Sequence, residues 1–342
     1  MRAAIYNPYL DTMGGGERYT LSFARVLADE GYSVDVEWPD NQILNKLYAR
    51  FAIKPHPQIK VVDSVNRGEN YDLIFYVSDG SIPTLRSPNN YLHFQVPFQN
   101  VNGRSLLNKM KLFRVNKIIC NSKFTKSIVD KEYGVESQVL YPPIDTELFK
   151  PMRKENIILY VGRFSKLLQS KGQEMLIDSF KKLVQKGVKN WKLVLAGGVE
   201  VGADEVVREL KSIVDNYQID ILESPSIENL KSFFGKSKIF WSASGFGVDE
   251  TIDPQKLEHF GMTVVESMSA GCVPVVVNKG GHKEIIEDKK NGFIWNNQEE
   301  LVNITFDLIS TKGELASISK ESLLSSKKFS QFEFKKEVLK LI

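Results

Sequence analysis

Short apolar runs rich in β-branched residues alternate with amphipathic stretches along the whole chain. These runs predict two groups of strands: 3–6, 33–36, 73–77, 91–94 and 117–120 in the first part, and 157–161, 192–196, 219–222, 239–242 and 273–277 in the second. Apolar strands that are separated by helices are typical of parallel sheets covered on both faces. Right-handed crossovers between such strands predict an α/β protein built from two doubly wound, Rossmann-like domains.

The boundary between the two predicted domains lies near residues 141–149. Pro142 and Pro143 interrupt regular structure there, and a new strand is predicted to begin at Ile157. We therefore assign 1–150 to a first domain and 151–328 to a second. Residues 329–342 have the amphipathic pattern of a final helix.

Composition and charge narrow the class of protein. The chain has 342 residues, which suits two domains, and its 42% hydrophobic and 25% charged residues are typical of a soluble globular protein. The net charge of +3 is too small to indicate a general nucleic-acid binder. Cys120 and Cys272 are the only cysteines and lie in or beside predicted strands, which favours a reduced, cytoplasmic protein. No apolar run approaches the ~18 residues of a membrane span, and the N-terminus lacks a signal-peptide pattern.

Two glutamates, Glu258 and Glu266, form the most informative pattern for function. Glu266 falls in a predicted helix that begins near Gly261, and Glu258 falls in the loop before it. The backbone N–H groups of Gly261, Met262 and Thr263 then point out of the helix start, where an anion is favoured. Because carboxylates repel phosphates, two carboxylates beside a diphosphate would bind hydroxyl groups on either side of it, and such a ligand is a nucleotide sugar. The alternative is a surface helix whose acidic first turn complements the helix dipole.

A basic pair follows the first strand of the second domain. Arg163 lies two positions after the end of that strand, and Lys171 lies eight positions later at a predicted helix start. Arginine offers a planar fork and lysine a point charge, so together they can bind both phosphates of a departing nucleoside diphosphate. Fixed cations there would replace a metal ion, and since nothing in the chain reads as D-x-D, no metal site is predicted. Ordinary surface charge is the alternative for each residue taken alone.

A glycine-rich loop follows the first predicted strand. Residues 14–16 are glycines at the start of the first helix, where glycine lets the backbone approach a phosphate closely. A dinucleotide-binding fold would require another glycine at position 19, which is Tyr19, so an oxidoreductase is not expected. Asp35 lies near the place of a ribose-binding acid, but every doubly wound unit ends its second strand there. The alternative for the loop is a plain strand-to-helix turn.

Residues 104–117 interleave cationic and apolar side chains. The cations are Arg104, Lys109, Lys111, Arg114 and Lys117, and the apolar residues are Leu106, Leu107, Met110, Leu112 and Phe113. A basic amphipathic helix can lie on an anionic membrane surface. The preferred interpretation is an ordinary helix, with Leu106, Met110 and Phe113 packed into the first domain and the charges in solvent.

Five stretches resemble retaining glycosyltransferases of family 4, in the same order along the chain. They are residues 14–18, 121–125, 141–145, 161–163 with Lys171, and 258–271. The run 253–261 is most similar to members that build mannose-containing glycans on lipid or polysaccharide acceptors. The resemblance spans nearly the whole chain and implies a GT-B fold, with two domains that face a central cleft and a final helix that crosses back to the first domain. It also implies a nucleotide-sugar donor and retention of anomeric configuration.

The resemblance assigns roles to particular residues. The expected catalytic residues are Arg163, Lys171, Glu258 and His93, and the expected donor-binding residues are Gly15, Gly16, Gly261, Met262, Thr263 and Glu266. His93 ends a predicted strand shortly before Pro97, as does the family's histidine that faces the donor sugar. A structural histidine is the alternative. Loop 14–18 resembles the one that the family places over the donor diphosphate and the acceptor.

The expected function is that of a metal-independent retaining glycosyltransferase that moves a hexose, with mannose favoured. The donor would be a nucleotide sugar such as GDP-mannose or a UDP-sugar, bound by the second domain, and the acceptor a glycan or lipid-linked molecule, bound by the first. We expect no other cofactor and no nucleic-acid partner. The expected location is the cytoplasm, with peripheral contact to the inner face of a membrane left open. The alternatives are a sugar-nucleotide epimerase and a non-catalytic scaffold on the same fold.

Overall fold

The structure is a computed structural model that describes residues 1–165 and 171–342. Within those residues the chain divides into two compact units, 1–143 with 332–342, and 144–331. The division therefore comes before the boundary at 150 that the sequence predicts. The reason is local, because the Ile144 N–H donates to the Phe329 carbonyl and the Gln331 N–H donates back to the Ile144 carbonyl, at 2.8 and 3.1 Å.

The first unit is a parallel sheet with helices. Its elements are β1 Arg2–Tyr6, α1 Gly15–Asp29, β2 Ser33–Glu37, α2 Ile43–Phe51, β3 Ile59–Val62, β4 Leu73–Val77, β5 Asn89–Phe94, α3 Leu106–Leu112, β6 Lys117–Cys120, α4 Lys123–Tyr133 and β7 Gln138–Val139. Among the described residues, the sheet has seven strands in the order β3-β2-β1-β4-β5-β6-β7. The strand order reverses between β1 and β4, which is where doubly wound sheets form a ligand crevice.

The second unit repeats this plan. Its elements are β8 Glu155–Val161, α5 Gln173–Gln185, β9 Lys192–Gly197, α6 Asp204–Ser212, β10 Ile219–Glu223, α7 Ile227–Lys236, β11 Ser237–Ser242, α8 Met262–Ser269, β12 Val273–Val277, α9 His282–Ile285, β13 Phe293–Trp295, α10 Gln298–Ser310 and α11 Glu314–Ser326. Its six described strands are parallel in the order β10-β9-β8-β11-β12-β13, with the reversal between β8 and β11.

The final helix, α12 Gln331–Leu341, packs against the first unit. Phe334 and Val338 are buried in the first core, and the Phe334 ring meets Tyr19 edge-on with centroids 5.3 Å apart. The Tyr91 hydroxyl also donates to the carbonyl of Leu341. The chain thus returns to its first unit after completing the second.

Every strand that the apolar pattern predicts is present, and three further strands were not predicted. β3, β7 and β13 each lie at the edge of a sheet, and β7 and β13 have only two and three residues. A short edge strand is paired on one side only and needs no long apolar run, so it leaves a weak pattern.

The helix predicted within residues 104–117 is short, and its apolar side chains do not pack into the first unit as the preferred interpretation expects. Helix α3 has no buried residue, and Leu106, Met110 and Phe113 are 77%, 66% and 93% exposed. The expectation that these three side chains pack into the first unit is therefore wrong. Lys117 belongs to β6 rather than to the helix. In the part of the chain that the structure describes, no helix is both long and apolar enough to cross a membrane.

Candidate active site

The candidate site lies at the carboxyl end of the second sheet, where its strand order reverses. Arg163 follows β8, and Ser242 ends the neighbouring β11. Gly197 ends β9, and a Cβ there would lie 1.9 Å from the Gly162 carbonyl oxygen, so the two strand ends approach too closely for any side chain. Ligands of doubly wound sheets bind in this crevice.

An ion pair joins two of the predicted site residues. The Lys171 ammonium lies 3.3 Å from Oε2 of Glu258, and the two side chains are only 12% and 24% exposed. Burial of Glu258 acts to raise its pKa, but Lys171, His282 and His259 together outweigh burial, and the pKa is about 2. The site therefore holds an ionised carboxylate beside a cation at neutral pH.

A pair of glycines fixes the backbone of Glu258. The Gly281 N–H donates to the Glu258 carbonyl at 2.8 Å, and a Cβ at Gly280 would lie 2.3 Å from the same oxygen. Glu250 holds this glycine pair, because it accepts the Gly280 N–H at 2.8 Å and pairs with Lys283 at 2.8 Å. The loops around 250 and 280 thus position a site residue.

Helix α8 begins where the sequence predicts. Gly261 is its N-cap residue with φ 110°, a conformation that favours glycine. Within the described residues, no side chain or carbonyl accepts a hydrogen bond from the N–H groups of Gly261, Met262 or Thr263. Glu266 lies in the second turn of the same helix and is 8% exposed. The helix start therefore offers N–H donors to an anion, with Glu258 before them in the chain and Glu266 after them.

His282 is a buried residue of this site that was not predicted from the sequence. Its ring is fully buried, with Nε2 3.1 Å from the Ser242 hydroxyl and Nδ1 3.2 Å from the Val277 carbonyl. Because Nδ1 faces a carbonyl it carries the proton, and Nε2 accepts from Ser242. Burial lowers the pKa of His282 to about 4, so the ring is neutral. The signal for this histidine lay in its place directly after Gly280 and Gly281.

Arg163 remains available to a ligand. Its side chain is 55% exposed, and Nη1 lies 4.0 Å from Oε1 of Glu200, which also accepts a hydrogen bond from the Ser165 hydroxyl. An exposed ion pair at that distance is weak, so Glu200 does not hold the guanidinium of Arg163 in place. The backbone at Arg163 is fixed, since its carbonyl accepts from the Gln173 amide at 3.0 Å.

His93 lies inside the first core. The ring is fully buried and stacks on Tyr19 and Phe75, with centroids 4.4 and 5.2 Å away. Nδ1 is 3.2 Å from the Ile119 carbonyl, and Nε2 is buried with no partner in residues 1–165 and 171–342. Burial lowers the pKa of His93 to about 3. This environment fits a structural histidine, the stated alternative, and a catalytic role for His93 stays a prediction.

The glycine loop of the first unit is occupied by a carboxylate. Glu17 is buried, and its Oε2 accepts from the Gly14 N–H and from the Thr12 hydroxyl, both at 2.7 Å. A negative charge already sits at the start of α1, so a phosphate is disfavoured there. Gly16 has another reason to be glycine, because a Cβ there would lie 2.1 Å from the Gln95 side chain. Donor contacts by Gly15 and Gly16 stay a prediction.

Two other residues considered above serve the fold. Asp35 accepts from Arg2 at 3.0 Å and from the Tyr71 hydroxyl at 2.9 Å, which explains a buried acid there without a ribose. The Tyr19 hydroxyl donates to the Leu140 carbonyl at 3.2 Å. Among the residues that the structure describes, no three His, Cys, Asp or Glu side chains are grouped so that they can hold a metal ion.

Solved structures share this two-unit plan. The crystal structure of Anabaena Alr3699/HepE in complex with UDP and glucose has a TM-score of 0.74 and 18% identity, and the match covers 100% of this chain and 99% of that one. The fold is therefore GT-B, a class of glycosyltransferase architecture, as predicted.

The family follows from the sequence comparison. The chain matches the family described as Glycosyl transferases group 1 over residues 145–322, and the one described as Glycosyltransferase Family 4 over residues 13–148. The first match covers more than half of the chain, and the chain belongs to this glycosyltransferase family.

Several curated relatives are mannosyltransferases by name. One is the GDP-Man:Man(3)GlcNAc(2)-PP-Dol alpha-1,2-mannosyltransferase of Dictyostelium discoideum, 26% identical over 238 residues, with 64% of this chain and 44% of the relative covered. Another is the alpha-1,3/1,6-mannosyltransferase ALG2 of the same organism, 25% identical over 280 residues, with 67% and 64% covered. The chain thus spans about half the length of the curated relatives that it matches.

Proposed function

We propose that this protein is a retaining glycosyltransferase that needs no metal ion and moves a hexose from a nucleotide sugar to a glycan or lipid-linked acceptor. The observation that carries the proposal is the grouping of Lys171, Glu258 and the start of helix α8 at the reversal point of the second sheet. This grouping combines a cation, free N–H donors and an ionised carboxylate, which are the groups that recognise a diphosphate joined to a sugar.

The proposed roles follow from the chemistry of each group. Arg163 and Lys171 bind the departing diphosphate, whose negative charge grows in the transition state, so fixed cations stabilise it there more than in the ground state. The N–H groups at the start of α8 bind the same diphosphate. Glu258 accepts hydroxyls of the donor sugar, and Glu266 accepts the two ribose hydroxyls, since a carboxylate can receive two neighbouring donors.

Mannose is the favoured sugar because curated relatives over most of this chain are named as mannosyltransferases that use GDP-mannose or act on dolichol-linked glycans. The structure with UDP and glucose keeps UDP-sugars among the donors to be tested. We place the enzyme in the cytoplasm, with its acceptor at the inner face of a membrane.

A screen of nucleotide sugars tests the proposal. The full chain is incubated with GDP-mannose and with UDP-linked hexoses, and both nucleoside diphosphate and remaining donor are quantified. Release of nucleoside diphosphate from one donor, with the sugar recovered on water or on an added acceptor, is expected. Conversion to a different nucleotide sugar would identify the epimerase alternative, and binding without any turnover would identify the scaffold.

A second proposal concerns the exposed helix α3. Four large apolar side chains protrude from its surface and its end, with exposures of 61% to 93%, and they are Leu106, Leu107, Met110 and Phe113. Lys109 and Lys111 lie among them, and Arg114 follows. Apolar side chains bordered by cations match a surface of anionic lipid, which attracts about 1 kcal/mol per basic residue. We propose that α3 rests on such a membrane and brings the enzyme to a lipid-linked acceptor.

Flotation with vesicles that contain phosphatidylserine tests this contact at low and high salt. We expect the wild-type chain to float at low salt, and less so at high salt because ions screen the attraction. Changing Leu106, Met110 and Phe113 to serine should abolish flotation, as should changing Lys109, Lys111 and Arg114 to serine. Ile252→Ser is the matched control, since Ile252 is 68% exposed outside α3. Equal flotation of all variants, or none by the wild type, would contradict the proposal.

A further inference from the structure

A tyrosine hydroxyl lies buried and unpartnered among the described residues, beneath the donor crevice of the second unit. Tyr160 comes next to last in β8, and its side chain is buried in the core of that unit. The hydroxyl oxygen has no hydrogen-bond partner within residues 1–165 and 171–342. A buried hydroxyl that makes no hydrogen bond lowers stability, because it has given up its contacts with water. The presence of this one therefore needs a reason.

The hydroxyl points towards the carboxyl end of the sheet. A Cβ at Gly162 would lie 2.2 Å from the Tyr160 oxygen, so the ring reaches past the end of β8. Ala243 belongs to the same core cluster, and a Cβ at Gly172 would lie 2.8 Å from the Cβ of Ala243. The start of helix α5, with Lys171 directly before Gly172, therefore lies against the core cluster that contains Tyr160.

Glu258 acts electrostatically on this hydroxyl. Burial, and then the negative charge of Glu258, raise the pKa of Tyr160. The hydroxyl therefore keeps its proton and can donate it to a carboxylate. Glu258 itself is paired with Lys171 at 3.3 Å. The site thus combines a carboxylate that is held by a cation and a hydroxyl whose proton has no acceptor in the described part of the chain.

Binding of a diphosphate disturbs this arrangement. In the proposed function Lys171 binds the departing diphosphate, whose oxygens compete with Glu258 for the ammonium group. A buried carboxylate that loses its cation is strongly destabilising unless another donor replaces it. The Glu258 side chain is only 24% exposed, so water replaces the cation incompletely.

The two histidines that act on Glu258 already have acceptors for their protons. Nδ1 of His282 lies 3.2 Å from the Val277 carbonyl, and its Nε2 accepts from a serine hydroxyl. Nε2 of His259 lies 3.1 Å from the Gln255 carbonyl. A neutral imidazole carries one proton, and in both rings that proton faces a carbonyl. The tyrosine hydroxyl, by contrast, has a proton to donate.

We propose that the Tyr160 hydroxyl donates a hydrogen bond to the Glu258 carboxylate when Lys171 turns to the diphosphate, and so keeps that carboxylate directed at the donor sugar. Tyr160 is then a positioning residue, since it acts through Glu258 and does not touch the ligand. This inference rests on the proposed function, because it concerns a residue of the same site. The buried hydroxyl lowers the stability of the free protein and stabilises the complex.

Calorimetric titration of the full chain with GDP and UDP tests this role in a double-mutant cycle. The variants are Tyr160→Phe, Glu258→Gln and the two combined. Tyr160→Phe removes only the hydroxyl and should weaken nucleoside diphosphate binding about tenfold, because Glu258 is left without a donor in the complex. In the Glu258→Gln background the same change should alter the affinity by less than about twofold, since no buried charge then needs a donor.

Thermal melts of the free chain give a second measurement. Tyr160→Phe should melt at the wild-type temperature or a few degrees above it, because the hydroxyl has no partner to lose. Tyr48→Phe is the matched control, since Tyr48 is a buried tyrosine in the core of the first unit. It should leave the nucleotide affinities unchanged. If Tyr160→Phe melts well below the wild type, the hydroxyl has a partner in the free protein and the inference is overturned.

The affinities separate this inference from the proposed function. If the wild type binds neither nucleotide, the proposed function fails and the role of Tyr160 fails with it. If the wild type binds a nucleotide and Tyr160→Phe binds it equally well, the positioning role alone fails. An equal loss of affinity with and without Glu258→Gln would also overturn the inference, because the hydroxyl would then not act through Glu258.

Discussion

Replacing Glu258 with glutamine should strengthen the binding of a nucleoside diphosphate while it weakens turnover of the nucleotide sugar. The pKa of Glu258 is about 2, so the substitution removes a full negative charge at neutral pH without changing the shape of the side chain. It also releases Lys171 from an ion pair at 3.3 Å. Both changes favour a diphosphate beside Lys171.

The size of the effect follows from the ion pair. At an effective dielectric constant near 20, unit charges ~4 Å apart attract by about 4 kcal/mol, and loss of hydration offsets most of this attraction. This leaves a net gain of about 0.7–1.4 kcal/mol in the binding of the diphosphate, or roughly three- to tenfold in affinity. Lys171→Met removes a charged hydrogen-bond donor, which typically costs about 1.5–3 kcal/mol, or roughly 10- to 150-fold.

Calorimetric titration with GDP and UDP measures these affinities. We expect tighter binding by Glu258→Gln and weaker binding by Lys171→Met. Asp215→Asn is the control, because Asp215 is exposed and pairs with Lys181 of the same unit, so its loss should change neither affinity nor turnover. If Glu258→Gln weakens nucleotide binding as much as Lys171→Met does, Glu258 contacts the nucleotide and our assignment of it to the sugar is wrong.

Three further predictions concern other residues of the chain. Glu266→Ala should weaken nucleoside diphosphate binding by roughly tenfold or more, since it removes hydrogen bonds to a charged acceptor, and unchanged calorimetric affinity in the folded variant would refute the ribose assignment. Arg163→Ala should lower kcat more than it raises KM, and turnover should survive EDTA; loss of activity in EDTA with rescue by magnesium or manganese would contradict metal independence. Burial holds the pKa of His93 at about 3 and of His282 at about 4, so the unfolded chain takes up protons first as the pH falls. The stability that the two histidines contribute is complete above pH 6.5 and declines towards pH 4 by about 1.4 kcal/mol per pH unit for each histidine. Denaturant unfolding at pH 7 and at pH 5 measures this loss. A free energy of unfolding that does not change with pH would contradict the prediction.

The long strands and the start of helix α8 were predictable because their signals are local. A short apolar run such as Leu73–Val77 is removed from water when it forms a buried strand. Gly261 directly before an apolar helical stretch marks where helix α8 begins. The edge strands β3 and β13 were missed because an edge strand is paired on one side and needs little burial.

The sequence predicts which residue types form the candidate site, but it does not predict which of them pair. Glu258 and Lys171 are far apart in sequence, and nothing local shows that they form an ion pair. The sequence equally could not show that Glu17 occupies the start of α1 or that His93 lies beneath Tyr19, because both depend on how distant segments pack. The exposed apolar side chains of α3 went unpredicted for the same reason, since periodicity alone does not say which neighbour covers a helix.

Release of nucleoside diphosphate from a nucleotide sugar, compared between the wild-type chain, Lys171→Met and Glu258→Gln, tests the proposed donor site most directly. We predict measurable release by the wild type with GDP-mannose or a UDP-hexose, and at least a tenfold loss of turnover in both variants. Undiminished release by the two variants would place the chemistry elsewhere in the molecule and contradict the assignment.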